Sequence, residues 1–125
     1  TIQKIYEAIV YGKIISYVKI ENRIARQNGS IKMKICPKGK EAITEVFLIE
    51  HNEKTSYIKC ILHTGRTHQI RLHLNHIGHG ILGDKLYYKR NDLVSERLQL
   101  HAKSITFRDT DNNIRTIESK YELKL

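Results

Sequence analysis

The sequence predicts an α+β fold: a mixed, mainly antiparallel sheet with few helices. Three observations predict it. Short segments rich in β-branched and aromatic residues recur along the chain, glycine turn signals separate them, and one segment has helical periodicity. A length of 125 residues allows a single domain with one modest core. Mostly antiparallel strands with one helix make an α+β domain.

The first half of the chain supplies strands in close succession. We expect them over residues 5–10, 14–20, 31–35 and 42–50. Gly12 ends the first, and Asn28-Gly29 supplies a turn before the third, in which apolar residues alternate with lysines. In the next strand side chains alternate between two faces, one with Tyr57, Lys59, Ile61 and His63 and the other with Ile58, Cys60 and Leu62.

One helix follows that strand. Ile70, Leu74 and Ile77 recur at i, i+4 and i+7, which predicts a buried stripe. Thr67 is placed as the N-cap, and Gly78 is placed to end the helix. Gly83-Asp84 indicates a turn, and the final strands are expected over 97–107 and 114–123.

The charge balance indicates a polyanionic partner. Lysine and arginine number 22 against 13 acidic residues, a formal net charge of +9. Such an excess favours nucleic acid, with plain solubility of a lysine-rich chain as the alternative. The basic residues are spread along the sequence, so the fold must assemble any binding surface. No apolar run approaches the roughly 18–20 residues of a membrane span, and no leader is evident, so we expect a cytoplasmic protein.

Cysteines and histidines do not predict a metal site. Cys36 and Cys60 lack metal-ligand spacing, and we expect two buried, reduced thiols rather than a disulfide. Five histidines lie between residues 63 and 79, but their spacing matches no zinc-finger or metalloprotease pattern. We therefore expect no bound metal.

The densest polar stretch, residues 62–73, contains a glycine, two arginines, a glutamine and three histidines where a turn opens the helix. Polar groups this dense at the start of an element indicate a ligand site. Arg66 lies where backbone N–H groups are free, which makes it a natural contact for an anion. We expect Gly65 to supply the permissive backbone of the turn.

Several motifs occur in a fixed order around this stretch. They are Lys4-x-Tyr6-x-Ala8-x-Val10-x-Gly12, Gly39-Lys40-x-Ala42-x-Thr44, Leu62-x-Thr64-Gly65-Arg66-Thr67-His68-Gln69-Ile70-Arg71-x-His73, Gly78-His79-x-Ile81-x-Gly83-Asp84-x-x-Tyr87 and Leu100-His101-Ala102. In this order, over nearly the whole chain, they resemble the motifs of the RluA family of RNA pseudouridine synthases.

The resemblance implies an isomerase that converts uridine to pseudouridine in structured RNA, either ribosomal RNA or transfer RNA. It implies no cofactor or metal, and a monomer when the protein is full length. The reaction breaks the glycosidic bond, turns the uracil and rejoins it through carbon, with an aspartate carboxylate as the essential group. The target nucleotide must be flipped out of folded RNA into a small pocket with an aromatic ring.

The resemblance also implies roles for residues. Tyr6 would stack beneath the uracil, and Arg71 would pair with the catalytic aspartate and keep it ionised. Their alternatives are a core tyrosine and a solvated helix arginine. The implied substrate-binding set is Arg66, Thr67, His68 and Gln69. Within it, Arg66 positions phosphate or props the loop, whereas His68 and Gln69 hold the turn by hydrogen bonds rather than perform chemistry.

One departure from the family pattern concerns the catalytic aspartate. The family's Arg-Leu-Asp motif precedes the tyrosine motif, and nothing in this sequence matches it. The aspartates present lie in other contexts, at Asp84, Asp92, Asp109 and Asp111. We therefore expect residues 1–125 to be the carboxy-terminal portion of a catalytic domain whose aspartate-bearing part is missing. Such a chain should bind RNA weakly and not turn over; a non-catalytic RNA-binding remnant of the same fold is the alternative.

Overall fold

The computed structural model describes residues 3–87 and 97–125, which form one sheet with a helix packed against it. The elements are β1 (Gln3–Tyr11), β2 (Tyr17–Arg26), β3 (Met33–Ile35), β4 (Lys40–His51), β5 (Thr55–Leu62), α1 (Gln69–His76), β6 (Leu100–Arg108) and β7 (Ile114–Glu118). The strand order is β3-β2-β4-β5-β1-β6-β7. All neighbouring strands pair antiparallel, so the sheet is not mixed, and it dominates the α+β fold.

The core lies between α1 and the central strands. Its buried residues come from both sides of that contact: Ala8, Val10, Ile14, Ile20, Val46, Ile58, Cys60, Ile70, Leu74 and Ile81. The predicted alternation in β5 is confirmed, since Ile58 and Cys60 are buried while Tyr57 and Lys59 are half-buried. Burying side chains the size of Ile58 or Leu74 stabilises the fold by about 1.5–3 kcal/mol each.

The two ends of α1 differ in how well the sequence predicts them. Gly78 ends the helix as expected: it adopts φ 84, its N–H donates to the Asn75 carbonyl, and the His79 N–H donates to the Leu74 carbonyl. The predicted N-cap at Thr67 was wrong. His68 takes that position with φ 54 and forms no side-chain cap; its Nδ1 is hydrogen-bonded to the Tyr87 hydroxyl instead.

Several strand ends differ from prediction. The second strand begins at Tyr17 rather than residue 14, because the Ile14 N–H donates to the Ser56 hydroxyl outside the sheet pairing. The third strand spans only Met33–Ile35, the sixth begins at Leu100, and the last ends at Glu118. After Glu118 the chain leaves the sheet edge, and Leu123 is buried.

The cysteines are free thiols. Cys60 is buried as expected, and burial raises the pKa of its thiol to about 12. Cys36, expected to be buried, is half-buried because it lies just after edge strand β3. Within 3–87 and 97–125, no helix combines the length and apolar content that crossing a membrane requires.

Gly39 allows a close approach between the segment before β4 and strand β2. A β-carbon at this position would lie 2.3 Å from the carbonyl oxygen of Ile24. Gly39→Ala should therefore lower the free energy of unfolding by about 1–3 kcal/mol, as overpacking does. Urea denaturation followed by circular dichroism measures this change.

Gly65→Ala is the matched control. Neither Gly39 nor Gly65 has a positive φ, and the nearest atom to a β-carbon at Gly65 is the Lys4 Nζ at 3.8 Å. The free energy of unfolding of the control should change by no more than about 0.5 kcal/mol. Equal losses in the two variants would contradict the close-approach explanation.

Candidate active site

A pocket of about 270 Å³ lies between β1, the start of α1 and the chain leading into β6. Five of the six residues expected at a site line it: Tyr6, Arg66, His68, Gln69 and Arg71. The sixth, Thr67, lines a neighbouring cleft that it shares with Arg66. Apolar side chains complete the pocket, namely Leu62, Ile70, Leu98 and Leu100. An aromatic ring, cations and an apolar wall therefore surround one space.

Tyr6 lies opposite an irregularity in the sheet. The pairing of β1 with β6 shifts register between Ile5 and Tyr6, whereas the pairing of β1 with β5 is regular. A bulge of this kind redirects a side chain and is common beside active sites. The half-buried ring packs against the core and borders the pocket. Among the described residues, none forms a hydrogen bond with the Tyr6 hydroxyl, so it is available to a ligand.

Arg71 forms a bidentate ion pair with Asp84. Its Nε donates to Oδ2 at 3.1 Å and its Nη2 to Oδ1 at 2.8 Å. The Asp84 side chain is only 1% exposed. Burial raises the pKa of Asp84, but hydrogen bonds from Arg71 and from the Tyr87 and Leu86 amides outweigh it, and the net pKa is lowered. Arg71 is therefore held in place rather than solvated, and its partner in the chain is Asp84.

The ion pair leaves part of the guanidinium unused. A guanidinium has five N–H donors, and Asp84 receives bonds from Nε and Nη2. Arg71 lines the pocket, and its guanidinium carbon also lies 5.4 Å from the centre of the Tyr87 ring. Asp84 does not line the pocket among the described residues. Arg71 can therefore bind a second acceptor there while Asp84 fixes its orientation.

His68 contributes an uncharged N–H donor. The Met33 N–H donates to the Tyr87 hydroxyl oxygen at 2.8 Å, so the Tyr87 O–H is free to donate to Nδ1 of His68, also at 2.8 Å. This arrangement leaves the proton of the neutral ring on Nε2. Burial and the charge of Arg71 lower the pKa of His68, which favours the neutral ring.

The side-chain amide of Gln69 holds the turn before the helix. Its Oε1 accepts hydrogen bonds from the Thr64 hydroxyl at 2.7 Å and from the Arg66 N–H at 3.1 Å. Its Nε2 donates to the Ile43 carbonyl at 3.0 Å and to the Thr44 hydroxyl at 2.9 Å. Gln69 is 2% exposed, so these contacts tie the loop to β4 inside the protein. Gly65, which was expected to provide the turn's unusual backbone, has no positive φ; His68 provides it instead.

His73 continues this network towards β2. The Thr44 hydroxyl accepts from Gln69 and therefore donates to Nδ1 of His73 at 2.8 Å, while Nε2 donates to Oδ1 of Asn22 at 2.9 Å. His73 is fully buried, and burial, with a contribution from the charge of His76, lowers its pKa to about 4.

The described part of the chain has no cluster of three or more side chains suited to hold a metal.

Arg66 lies at the boundary between two clefts. Its Nε donates to the Glu41 carbonyl at 2.8 Å, which anchors the guanidinium against the start of β4. The same side chain lines both the 270 Å³ pocket and the cleft that contains Thr67. Arg66 therefore props the loop and is also open to a ligand.

Sequence reasoning missed the supports of these residues. Asp84 was expected only in a turn, and Tyr87, Thr44 and Asn22 were given no role. The Asp84-x-x-Tyr87 spacing carried a usable signal, because an aspartate accepts N–H bonds two and three residues ahead, as it does here from Leu86 and Tyr87. Asp109 lies in the turn between β6 and β7 and pairs with Arg115, and Asp92 lies outside the described residues.

Comparison with known proteins relates the chain to a family. The RNA pseudouridylate synthase family matches residues 1–76. The Ribosomal large subunit pseudouridine synthase D of Neisseria meningitidis serogroup A is 37% identical over 120 residues, which cover 86% of this chain and 32% of that protein. The Dual-specificity RNA pseudouridine synthase RluA of Vibrio cholerae is 38% identical over 78 residues, 61% of this chain and 32% of that protein.

A solved structure has the same fold. Human RNA Pseudouridylate Synthase Domain Containing 1 superposes with a TM-score of 0.84 at 29% identity, over 96% of this chain and 55% of that one. The chain thus spans about a third of the two curated relatives and just over half of the human protein.

The buried histidine predicts a loss of stability in mild acid. The pKa of His73 is 6.5 ordinarily and about 4 in the folded chain. Its stabilising contribution is complete above 6.5 and is lost as the pH falls towards 4, because only the unfolded chain takes up the proton. Between pH 7 and pH 5 the free energy of unfolding should fall by about 2 kcal/mol from this residue. Urea denaturation across this range measures the change.

His73→Gln isolates the contribution, because an amide does not titrate. In this variant the free energy of unfolding should fall by about 2 kcal/mol less between pH 7 and pH 5 than in the wild type. Replacing exposed His51 by Gln should leave the pH dependence of the wild type unchanged. If wild type and His73→Gln lose stability in parallel between pH 7 and pH 5, the explanation is wrong.

Proposed function

The chain belongs to the RNA pseudouridylate synthase family, and on that premise we propose that it binds a flipped uridine for isomerisation to pseudouridine. Residues 1–125 are proposed to be the carboxy-terminal portion of the catalytic domain. A segment outside them supplies the aspartate, because no Arg-Leu-Asp motif occurs in the sequence. The reaction breaks the bond from the ribose to N1 of uracil and forms one to C5; C5 releases its proton to water and N1 takes one up.

The observation that carries this proposal is that Asp84 engages only part of the Arg71 guanidinium. A buried carboxylate, Asp84, fixes it through Nε and Nη2, yet Arg71 still lines the pocket. A planar, permanently charged group held in this way suits a second carboxylate, whose pKa it lowers and whose orientation it fixes. Asp84 cannot act as that second carboxylate in this arrangement, because its oxygens accept hydrogen bonds from Arg71, Leu86 and Tyr87 and its side chain is 1% exposed.

The remaining pocket residues suit a pyrimidine. The Tyr6 ring offers a stacking surface bordered by Leu62 and Leu100, and His68 offers an N–H donor. A volume of about 270 Å³ has room for a single base. Flipped RNA bases are commonly recognised by stacking on aromatic rings together with hydrogen bonds to their edges. Tyr6 and His68 are therefore proposed to hold the uracil, while Arg71 orients the carboxylate.

Structured RNA is the proposed substrate and partner. A net charge of +9 favours a polyanion. The name of the Neisseria relative refers to the large ribosomal subunit, which supports ribosomal RNA for this protein, with transfer RNA as the alternative. Tyr6, His68 and Arg71 all come from one copy of the chain, which supports a monomer. As the resemblance implies, we further propose a cytoplasmic enzyme that needs no cofactor.

A non-catalytic RNA-binding protein is the second candidate. It is favoured by one observation: Asp84, the carboxylate nearest to Arg71 in sequence and bonded to it, is withheld from the pocket. Both candidates keep the pocket and the positive charge, so the presence of the aspartate distinguishes them.

Tritium release from RNA that carries [5-³H]uridine tests the catalytic proposal. The isolated chain should release none. A chimaera should release tritium when the chain is joined to an added segment that carries the family's Arg-Leu-Asp motif. Arg71→Lys in that chimaera should lower kcat by about 10²-fold or more, because lysine cannot form the bidentate contact.

Arg115→Lys is the matched control, since this exposed arginine pairs with Asp109 and is not among the residues that line the pocket. It should leave kcat unchanged. Release by the isolated chain would refute the missing-aspartate proposal. A folded chimaera that binds RNA without releasing tritium would favour the non-catalytic candidate.

A further inference from the structure

A second and larger cleft, of about 450 Å³, opens beside the candidate active site, on the other side of Arg66. We propose that it binds an unpaired nucleotide that flanks the target uridine in the RNA, with its phosphate at the cationic part of the lining and its base on the apolar part. This inference rests on the proposed function, since it assigns the cleft to the same RNA strand.

The charge of the cleft indicates an anionic ligand. Among the residues that the structure describes, no acidic residue lines it and four cationic ones do: Arg26, Lys38, Lys40 and Arg66. They come from separate parts of the fold, namely the end of β2, the segment before β4, the start of β4 and the loop before α1. Like charges brought together by tertiary structure, without a neutralising carboxylate, attract phosphate.

Part of the lining is apolar. Ile24, Ala25 and Met33 contribute to it, and Thr67 lines the cleft from the loop before α1. A site for phosphate alone needs no apolar wall, whereas a nucleotide presents a charged phosphate and a flat base together. The lining therefore fits a nucleotide better than a free anion.

Arg66 gives the reason to assign both clefts to one strand. Its side chain lines the candidate active site and the second cleft. When a uridine is flipped into the first, the backbone that links it to its neighbour must pass close by. The charge of Arg66 then lies between two successive nucleotides, where a linking phosphate would be. An acidic peptide would also carry negative charge, but nothing in its chemistry requires it to occupy both clefts.

The cleft is held in shape before any ligand arrives. Gly39 packs directly on Ile24, and its carbonyl accepts a hydrogen bond from Arg23. The Met33 N–H donates to the Tyr87 hydroxyl, the same hydroxyl that contacts His68 in the candidate active site. One side chain thus braces both clefts, which keeps their separation fixed and lowers the ordering cost of binding.

Salt-dependent binding of a fluorescent 12-nucleotide single-stranded RNA to the complete 125-residue chain tests the proposal. Replacing Arg26 and Lys38 by Gln should weaken binding about 10- to 30-fold near 0.1 M salt. The slope of log K against log salt should become shallower by about 1.4, or 0.7 for each lost phosphate contact. Lys120→Gln with Lys124→Gln, which removes the same charge from exposed positions outside the cleft, is the matched control.

Cross-linking locates the base independently of charge. With 4-thiouridine placed next to the target uridine, cross-links should fall within residues 24–40, and thermal melting checks that each variant is folded. Equal affinity and slope in the two double variants would overturn the proposal, as would cross-links that fall only elsewhere. So would an acidic peptide that binds as tightly as RNA and depends equally on Arg26 and Lys38.

The outcome is separable from that of the proposed function. If the chimaera releases tritium but its RNA affinity does not depend on Arg26 and Lys38, the cleft proposal is refuted and the isomerase proposal stands. RNA binding that depends on these residues in a chimaera without tritium release would support the cleft and refute the isomerase.

Discussion

The buried side-chain amide of Gln69 joins the loop that carries the candidate site to the sheet that supports it. Its oxygen accepts from Thr64 and Arg66 on the loop, and its nitrogen donates to β4. Leaving one of these buried groups without a partner would cost about 1–3 kcal/mol. The loop therefore has one favourable arrangement, which sets the position of Arg66, the left-handed backbone of His68 and the direction in which α1 presents Arg71.

Two networks meet at this helix. The neutral one runs from the loop through Gln69 and Thr44 to His73 and Asn22, deep against the sheet. The charged one joins Arg71 to Asp84, whose oxygen also accepts the Leu86 and Tyr87 amides. The neutral network makes the helix rigid where it touches the core, and the charged network orients a cation where the helix meets the pocket.

Local patterns in the sequence predicted the features that depend on nearby residues. Alternation in β5, the stripe of Ile70 and Leu74, and Gly78 as the helix end all follow from spacing of a few residues. The bulge at Tyr6 and the Asp84 partner of Arg71 could not be predicted in this way. They depend on register between distant strands and on a contact across 13 residues, neither of which leaves a local pattern.

Amide hydrogen exchange at Arg66, measured by NMR in the complete chain, tests most directly whether Gln69 fixes the site. This amide lies in a loop outside the sheet hydrogen bonding, and its acceptor is the buried Gln69 side chain. We predict protection comparable to that of the sheet amides of Val46 and Cys60, because releasing it requires opening the network. Exchange as fast as in an unstructured peptide would contradict the account.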